Sequence, residues 1–299
     1  MGLNVQERVS LAPYTSFRVG GPARYFCEPE TREEFAEGLR FARDRGLPYF
    51  VLGKGTNLVF SDTGYSGLVI SAEKFNRILW DGAHVKAECG ALLMEVVTQS
   101  VERGMQGMQN LAGIPGTLGG GVYINAGAFD QELKDVVVEV LSLDKDGTLR
   151  ERDRDACAFG YRRSVFCGAG EIVLEASMEL KSGGDPAELR REMEETLRKR
   201  SEKQPLEFPN AGSMFKRPPG NYAGALIQAA GLKGFRMGNA GISDKHANFT
   251  VNLGNVTAQE IWDLTSEVIL RVREHSGITL EREVIFIGDF LPWPRLPER

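Results

Sequence analysis

The stretch LAGIPGTLGGGVYINAGA, residues 111–128, places six glycines in eighteen positions and has the makings of an anion cradle. Gly113, Gly116, Gly119, Gly120, Gly121 and Gly127 remove Cβ atoms where a backbone must turn through positive φ or approach a ligand, and they leave amide N–H groups to point at negative charge. Pro115 fixes one φ within the run. A mobile loop or tight strand packing is the plainer account of a glycine run alone. Here Leu111, Ile114, Leu118, Val122 and Ile124 interleave with the glycines and mark a buried, folded loop instead of a solvated linker. A second small polar turn, Gly53-Lys54-Gly55-Thr56-Asn57-Leu58, follows a short apolar run. It has neither the GxGxxG of a dinucleotide fingerprint nor the GK[ST] of a P-loop, so by itself it is a weak signal.

Three further clusters bring charge and protons. Tyr161-Arg162-Arg163-Ser164 offers guanidinium forks for a carboxylate or phosphate, although two surface arginines are the commoner explanation. Asn210-Ala-Gly-Ser213-Met-Phe-Lys216-Arg217 holds a serine after glycine without the GxSxG elbow or a histidine base, which argues against a hydrolase nucleophile and fits a cap or turn. Glu281-Arg282-Glu283 enters an apolar strand, where alternation puts both glutamates on one side; charge on an edge strand is the competing account. His84, His246 and His275 receive no catalytic role.

Helices and strands that position these groups can be read from periodicity and caps. Thr31 with Glu34 forms a capping box for a helix whose stripe is Phe35, Leu39 and Ala42, ended at Gly46. Residues 48–52 and 67–71 read as strands, 78–90 as a hairpin turning at Asp81-Gly82, and Leu92, Val96, Ser100 and Val101 as a helical stripe ended by Gly104. A second hairpin turns at Asp146-Gly147, and 172–181 is a further strand. Ser182-Gly-Gly-Asp-Pro marks a boundary, after which Asp185 caps a charged helix running to about Lys203. Its stripe of Leu189, Met193 and Leu197 is narrow, and its charges read as a solvated face. Beyond it lie an apolar helix at 223–230, a strand at 249–253, a helix capped by Thr257 and Glu260 and ended by Gly277, and a strand at 284–288.

The chain has 299 residues, room for roughly two domains. Hydrophobic residues at 42% and charged residues at 26% are ordinary, whereas 35 glycines, about 12%, exceed the usual ~7%. A net charge of −5 with 36 dispersed basic residues argues against nucleic-acid or membrane-surface binding and for small-molecule chemistry. The four cysteines, Cys27, Cys89, Cys157 and Cys167, have no metal-ligand or redox spacing and read as reduced and structural, with no metal expected. No apolar run reaches the ~18 residues of a membrane span and the first residues carry charge, so a cytoplasmic protein is expected.

In order along the chain, TSFRVGGPA, LGKGTNLVFSD, GIPGTLGGGVYINAGAF, YRRSVF, NAGSMFKRP, AGLKGFRMGNAGISDKHANFTVN and LEREVIFIG resemble the blocks of the UDP-N-acetylenolpyruvoylglucosamine reductase family, seven blocks in register over nearly the whole chain. The resemblance implies an α+β protein with the FAD-binding fold of the vanillyl-alcohol oxidase type. Residues 1–182 would bind FAD through lobes of about 1–70 and 71–182. Residues 183–299 would hold the linker helix and an α+β substrate-binding domain, its last strand free to return to the first lobe. FAD would lie with its pyrophosphate on Gly53, Lys54, Gly55, Thr56, Asn57 and Leu58. Its flavin end would run along Gly113, Ile114, Pro115, Gly116, Thr117, Gly119, Gly120, Gly121, Ile124, Asn125 and Gly127. NADPH would give hydride to flavin N5 and leave, and UDP-N-acetylglucosamine enolpyruvate would then accept it at C3, yielding the peptidoglycan precursor UDP-N-acetylmuramate.

By motif, Arg162 matches the arginine on the substrate carboxylate, Glu283 the glutamate beside it and Ser213 the proton donor to C2. Lys203, Asn210, Lys216 and Arg217 would contact the nucleotide-sugar, and neighbours of Ser213 such as Lys216 would stabilise its alkoxide. The run from Phe166 to Glu171 leaves no room for the tyrosine-bearing loop of one branch, so the chain resembles the shorter branch. Arg217 stands where some relatives have asparagine, and Cys167 where a basic residue is common. A flavin oxidase of the same fold acting on an alcohol, and a non-catalytic flavin or nucleotide-sugar binder, are the competing readings; Ser213 and Glu283 speak against the first. The resemblance fixes no oligomeric state and is compatible with a monomer.

Overall fold

Local signals account for most helices of the computed structural model, which describes residues 2–293. Helix α1 (Arg32–Asp44) begins where the Thr31 side chain accepts from the Glu34 amide, and the Glu34 carboxylate turns back to accept from the Glu30 amide at 2.7 Å. Helices α2 (Leu93–Glu102), α3 (Leu118–Ile124), α4 (Phe166–Ala169) and α5 (Pro186–Lys203) follow. Asp185 caps α5 by accepting from the Ala187 amide at 2.9 Å. Helices α6 (Ala223–Ala229) and α7 (Ala258–Ser276) complete the set. Thr257 and Glu260 form a reciprocal capping box on α7, and Gly277 ends it in the left-handed conformation. Asp62 adds its carboxylate to the same end, accepting from the amides of Ala258 and Gln259 at 2.9 Å each.

The chain forms two compact units. One comprises the residues up to Glu7, Tyr25–Lys54 and Gly67–Arg200; the other Arg8–Arg24, Gly55–Ser66 and the chain from Ser201 onward. A four-stranded sheet has the order Val5–Ser10, Pro22–Cys27, Tyr65–Ser71, Tyr49–Leu52, and the last two run parallel with Tyr49 opposite Leu68. In the first unit an antiparallel sheet has the order Leu149–Asp153, Val137–Leu143, Ile172–Glu179, His84–Glu88, Ile78–Asp81. Its two hairpins turn at Gly82 and Gly147, as their Asp-Gly pairs predict. Phe35, Leu68, Ile70, Val96, Val122, Val140 and Leu174 belong to its continuous core.

The second unit has a core of its own, with Phe17, Phe215, Ile227, Leu264 and Val268 fully buried or nearly so. It contains a three-stranded sheet of Arg236–Met237, Ala240–Ile242 and Thr250–Asn252. The strand Ile285–Ile287 pairs in parallel with Leu58–Phe60, Ile285 opposite Leu58. Among the described residues no helix is long and apolar enough to cross a membrane, no group of histidines, cysteines and carboxylates is arranged for a metal, and all four cysteines are free thiols. Cys167 is exposed, so only Cys27, Cys89 and Cys157 have the buried surroundings of structural thiols.

Candidate active site

The glycine-rich stretch is not one loop. Residues 118–124 form helix α3, capped by Thr117, whose hydroxyl accepts from the Gly120 amide at 3.4 Å, and closed by Asn125 in the left-handed conformation. Three consecutive glycines inside a helix cost roughly 1 kcal/mol each against alanine. Packing explains two of them: a Cβ on Gly119 would come within 2.6 Å of Cys89 Cβ, and one on Gly121 within 2.7 Å of Leu133 Cδ1. Three amides at the start of this helix are engaged within the protein. Leu118 and Gly119 donate to the carbonyls of Ala91 and Cys89 at 2.8 Å, and Gly121 donates to Thr117 O at 2.9 Å. The two predicted cofactor segments do meet within the first unit, since a Cβ on Gly53 would lie 2.5 Å from Thr117 Oγ1. Lys54 is ion-paired with Glu73 at 2.6 Å.

Asn125 is fully buried and its side chain is engaged on every side. Nδ2 donates to Glu132 Oε2 at 3.0 Å and to Gly160 O at 3.1 Å, while Oδ1 accepts from the Lys134 amide at 3.0 Å. The bond to Gly160 anchors a tight turn in which Gly160 and Arg163 exchange backbone hydrogen bonds. Arg162 sits in that turn with φ 54°, a conformation a non-glycine residue adopts rarely, and its Nη2 donates to Gly127 O at 3.2 Å. Helix α3, its cap and the Arg162 turn are therefore one construction.

In the second unit the remaining predicted residues cluster about crossing strands. A Cβ on Gly55 would fall 2.2 Å from Tyr14 O, so no other residue fits there. Two carbonyls of this turn face the protein: Gly55 O accepts from the Ser16 amide and hydroxyl, and Asn57 O accepts from the Ile285 amide at 3.0 Å. Asn57 Nδ2 donates to Glu283 O at 3.3 Å, joining residues 226 apart in sequence. Glu283 in turn donates its amide to Met214 O at 2.8 Å, directly after Ser213, which forms a bridge with Phe249. Ser213 and Glu283 are both half-buried. Lys216 Nζ pairs with Glu281, and Arg217 lies 4.1 Å over the Tyr222 ring. Asn210 shapes the approach to Ser213, accepting from the Gly212 amide and donating to the carbonyls of Pro205 and Phe208. Lys203 is exposed at the end of α5.

Between the two predicted glutamates stands Arg282, whose guanidinium lies 4.1 Å over the Trp262 ring and donates to Thr265 Oγ1 and Ser266 Oγ. Burial pushes this guanidinium down to about 10.

Two family profiles match the chain: an FAD binding domain over residues 23–152, and the C-terminal domain of UDP-N-acetylenolpyruvoylglucosamine reductase over 204–287. The chain is 43% identical to a UDP-N-acetylenolpyruvoylglucosamine reductase of Streptococcus thermophilus, over 97% of its own length and 95% of the relative's. It is 39% identical to one of Clostridium botulinum over 95% and 93%. The chain belongs to the UDP-N-acetylenolpyruvoylglucosamine reductase family. The crystal structure of the Thermus caldophilus reductase superposes with a TM-score of 0.82 at 36% identity, covering 96% of this chain and all of that one. The α+β FAD-binding fold expected from sequence holds. Only Gly170 and Glu171 separate α4 from the strand Ile172–Glu179, so no loop is inserted there.

One residue escaped the sequence reading. The charged face of α5 is solvated only in part, because Arg200 is 8% exposed and lies with Leu189 and Thr196 on the buried side. A helical stripe through positions 189, 193 and 197 continues to 200, and that period was the available signal.

Proposed function

We propose that this protein reduces the enolpyruvyl ether of UDP-N-acetylglucosamine to the D-lactyl ether, with FAD bound and NADPH as reductant, and so makes UDP-N-acetylmuramate for peptidoglycan. Family membership over nearly the whole chain is the observation that carries this reading. Functionally, residues 1–182 serve FAD and 183–299 the substrate, a division that the two matched profiles support. NADPH and a nucleotide-sugar as reactants make the cytoplasm its compartment.

The residues present fit FAD. The turn from Gly53 to Leu58 has the carbonyls of Gly55 and Asn57 turned into the protein and no space for a side chain at Gly55, which suits a diphosphate seat. In the glycine-rich stretch, contact with the flavin end falls to the backbone and to the first turn of α3, where Gly120 is exposed. When bound, FAD supplies the redox chemistry, passing hydride from NADPH to the enolpyruvyl C3.

What remains for the chain is charge and a proton. Arg162 takes the substrate carboxylate in its guanidinium fork, aimed by a turn whose strain the Asn125 bonds sustain. Ser213 gives its hydroxyl proton to C2. Serine is a weak acid, and it suffices because the carbanionic carbon is strongly basic; Lys216, whose ammonium pairs with Glu281, is our candidate to stabilise the alkoxide. Glu283 stands beside the carboxylate, protonated or bridged by water, since two like charges at one carbon would raise the barrier. Asn210 holds the loop leading to Ser213, while Lys203 and Arg217 contact the nucleotide-sugar.

Purified protein is expected to be yellow and to release flavin on denaturation; a colourless protein that takes up no FAD overturns the reading. Ser213→Ala is expected to leave flavin reduction by NADPH intact and to cut sugar turnover by roughly 10²- to 10⁴-fold, the usual share of a general acid. Unchanged turnover would remove Ser213 from the mechanism.

A further inference from the structure

Arg282 brings a positive charge into the aromatic part of the second unit's core. Its guanidinium lies 4.1 Å over the Trp262 ring and 5.2 Å from the centre of Phe286. Trp262, Phe286 and Phe290 pack on one another with ring centres 5.1, 5.1 and 5.3 Å apart. Among the described residues no carboxylate pairs with Arg282, and burial alone lowers its guanidinium from the ordinary range. Stability does not call for a charge here, since an apolar side chain of similar volume often serves as well in such a setting.

What the guanidinium supplies is direction. Thr265 and Ser266 on α7 both donate their hydroxyl protons to Trp262 O, at 3.0 and 2.7 Å. Their oxygens are left to accept, and Arg282 donates to each: Nε to Thr265 Oγ1 at 3.0 Å and Nη2 to Ser266 Oγ at 2.6 Å, with Trp262 O itself 3.4 Å from Nη2. Every donor in this network points the same way, so the side chain has one arrangement on the helix. Its backbone belongs to the site. Arg282 forms a bridge with Phe215, flanked by the Lys216 amide donating to Glu281 O at 2.9 Å and the Glu283 amide donating to Met214 O at 2.8 Å. Because Arg282 faces α7, alternation turns Glu281 and Glu283 away from that helix, and Lys216 pairs with Glu281 on the far side. The segment that carries Glu283 is therefore held from behind by a single fork.

Resting on the reductase reading above, we infer that Arg282 is a positioning residue for reduction of the sugar: its fork, locked on α7, sets the angle at which Glu283 and the adjoining Ser213 segment meet the enolpyruvyl group, and Arg282 itself touches neither substrate nor flavin. Misplacing a reacting group by about 1 Å costs on the order of 10²-fold in rate, so an aiming device of this kind has a kinetic signature.

The test uses FAD-loaded protein and separates the half-reactions by stopped-flow absorbance: reduction of the flavin by NADPH, then its reoxidation by the enolpyruvyl sugar in the absence of oxygen. Arg282→Met keeps the stem over Trp262 and loses the fork. It is expected to leave the first step unchanged and to slow the second by about 10- to 100-fold at saturating sugar, with the half-saturating concentration altered by less than about 3-fold. Arg282→Lys keeps the charge and loses the fork, and should be nearly as slow. Ser266→Ala removes the 2.6 Å acceptor while Arg282 stays, and should show the same defect in smaller measure. A cycle with Glu283→Gln decides the cause. In that background Arg282→Met, or equally Arg282→Lys, should slow reoxidation by less than about 2-fold, whereas a general loosening of the unit would multiply through both backgrounds. A Met variant that reoxidises as fast as wild type, a Lys variant that restores the rate, or a full defect that persists beside Glu283→Gln overturns the inference while the wild-type reaction stands. A wild-type protein whose reduced flavin the sugar does not reoxidise overturns the reductase reading, and the inference falls with it.

Discussion

The contact between Gly53 and Thr117 should appear as a coupling energy. An alanine methyl at position 53 would lie 2.5 Å from Thr117 Oγ1, 3.3 Å from Cγ2 and 3.4 Å from Cβ, so only the two terminal atoms of Thr117 obstruct it. Overpacking of this degree costs about 1–3 kcal/mol, from which about 0.4–1 kcal/mol is recovered because alanine restricts the unfolded chain. Thr117→Ala removes both obstructing atoms and the α3 cap; with a cap bond of 3.4 Å the loss sits near the low end, about 0.5–1 kcal/mol. In the double variant the new methyl occupies vacated space, and its cost should be less than the sum of the two by about 1–2 kcal/mol. Hydrogen exchange in increasing urea, read on peptides covering α3 and the strand Ile172–Glu179, reports the stability of the first unit. Running the cycle at two FAD concentrations separates ligand stabilisation by mass action. Costs that add to within about 0.5 kcal/mol would refute the close approach and, with it, the joining of the two cofactor segments.

Three further outcomes follow from buried groups. Asn125→Ala leaves the Lys134 amide without its partner, strips Gly160 O of one of its two donors and keeps a left-handed residue, and should lower the stability of the first unit by about 1–3 kcal/mol in urea unfolding; a loss under about 0.5 kcal/mol would contradict the anchoring role. Burial pushes the Cys27 thiol up to about 12 and the Cys157 thiol up to about 11, and raises that of Cys89 as well, so a thiol reagent should titrate only the exposed Cys167 in native protein and all four after denaturation. The Arg152 guanidinium and the Ser142 hydroxyl hold the Glu171 carboxyl below its usual 4.5. Because the folded value is the lower one, this stabilisation is complete above the unfolded value and is lost as pH falls through the folded value. Glu171→Gln should therefore lower the thermal midpoint near neutral pH and converge with wild type in acid, and parallel melting curves across that range would count against the pairing.

The helices that sequence located well are those whose ends are set within four residues. Thr31 with Glu34, and Thr257 with Glu260 and Gly277, satisfy their own helix termini, so their signal is local and survives whatever the rest of the chain does. Helix α3 reverses this. Gly119, Gly120 and Gly121 lower helix propensity, and two of them are required only because Cys89 and Leu133 stand against the helix, a fact that no window of residues 111–128 contains. Arg200 is an intermediate case: its place on the stripe of α5 was legible from period, whereas the rule that charge runs face water pointed the other way. The conformation of Arg162 is less accessible still, because its left-handed φ is sustained by Asn125, 37 positions earlier, through the bond to Gly160. Likewise Asn57 and Glu283 meet across 226 residues, and only the ordered likeness of seven blocks to a family could pair them. Chemistry in this chain thus gathers where distant segments hold one another in shapes that none would adopt alone. Such sites are the hardest to derive from local sequence, and substitutions at their supports, Thr117 and Asn125 among them, discriminate best between a built site and a coincidence of residue types.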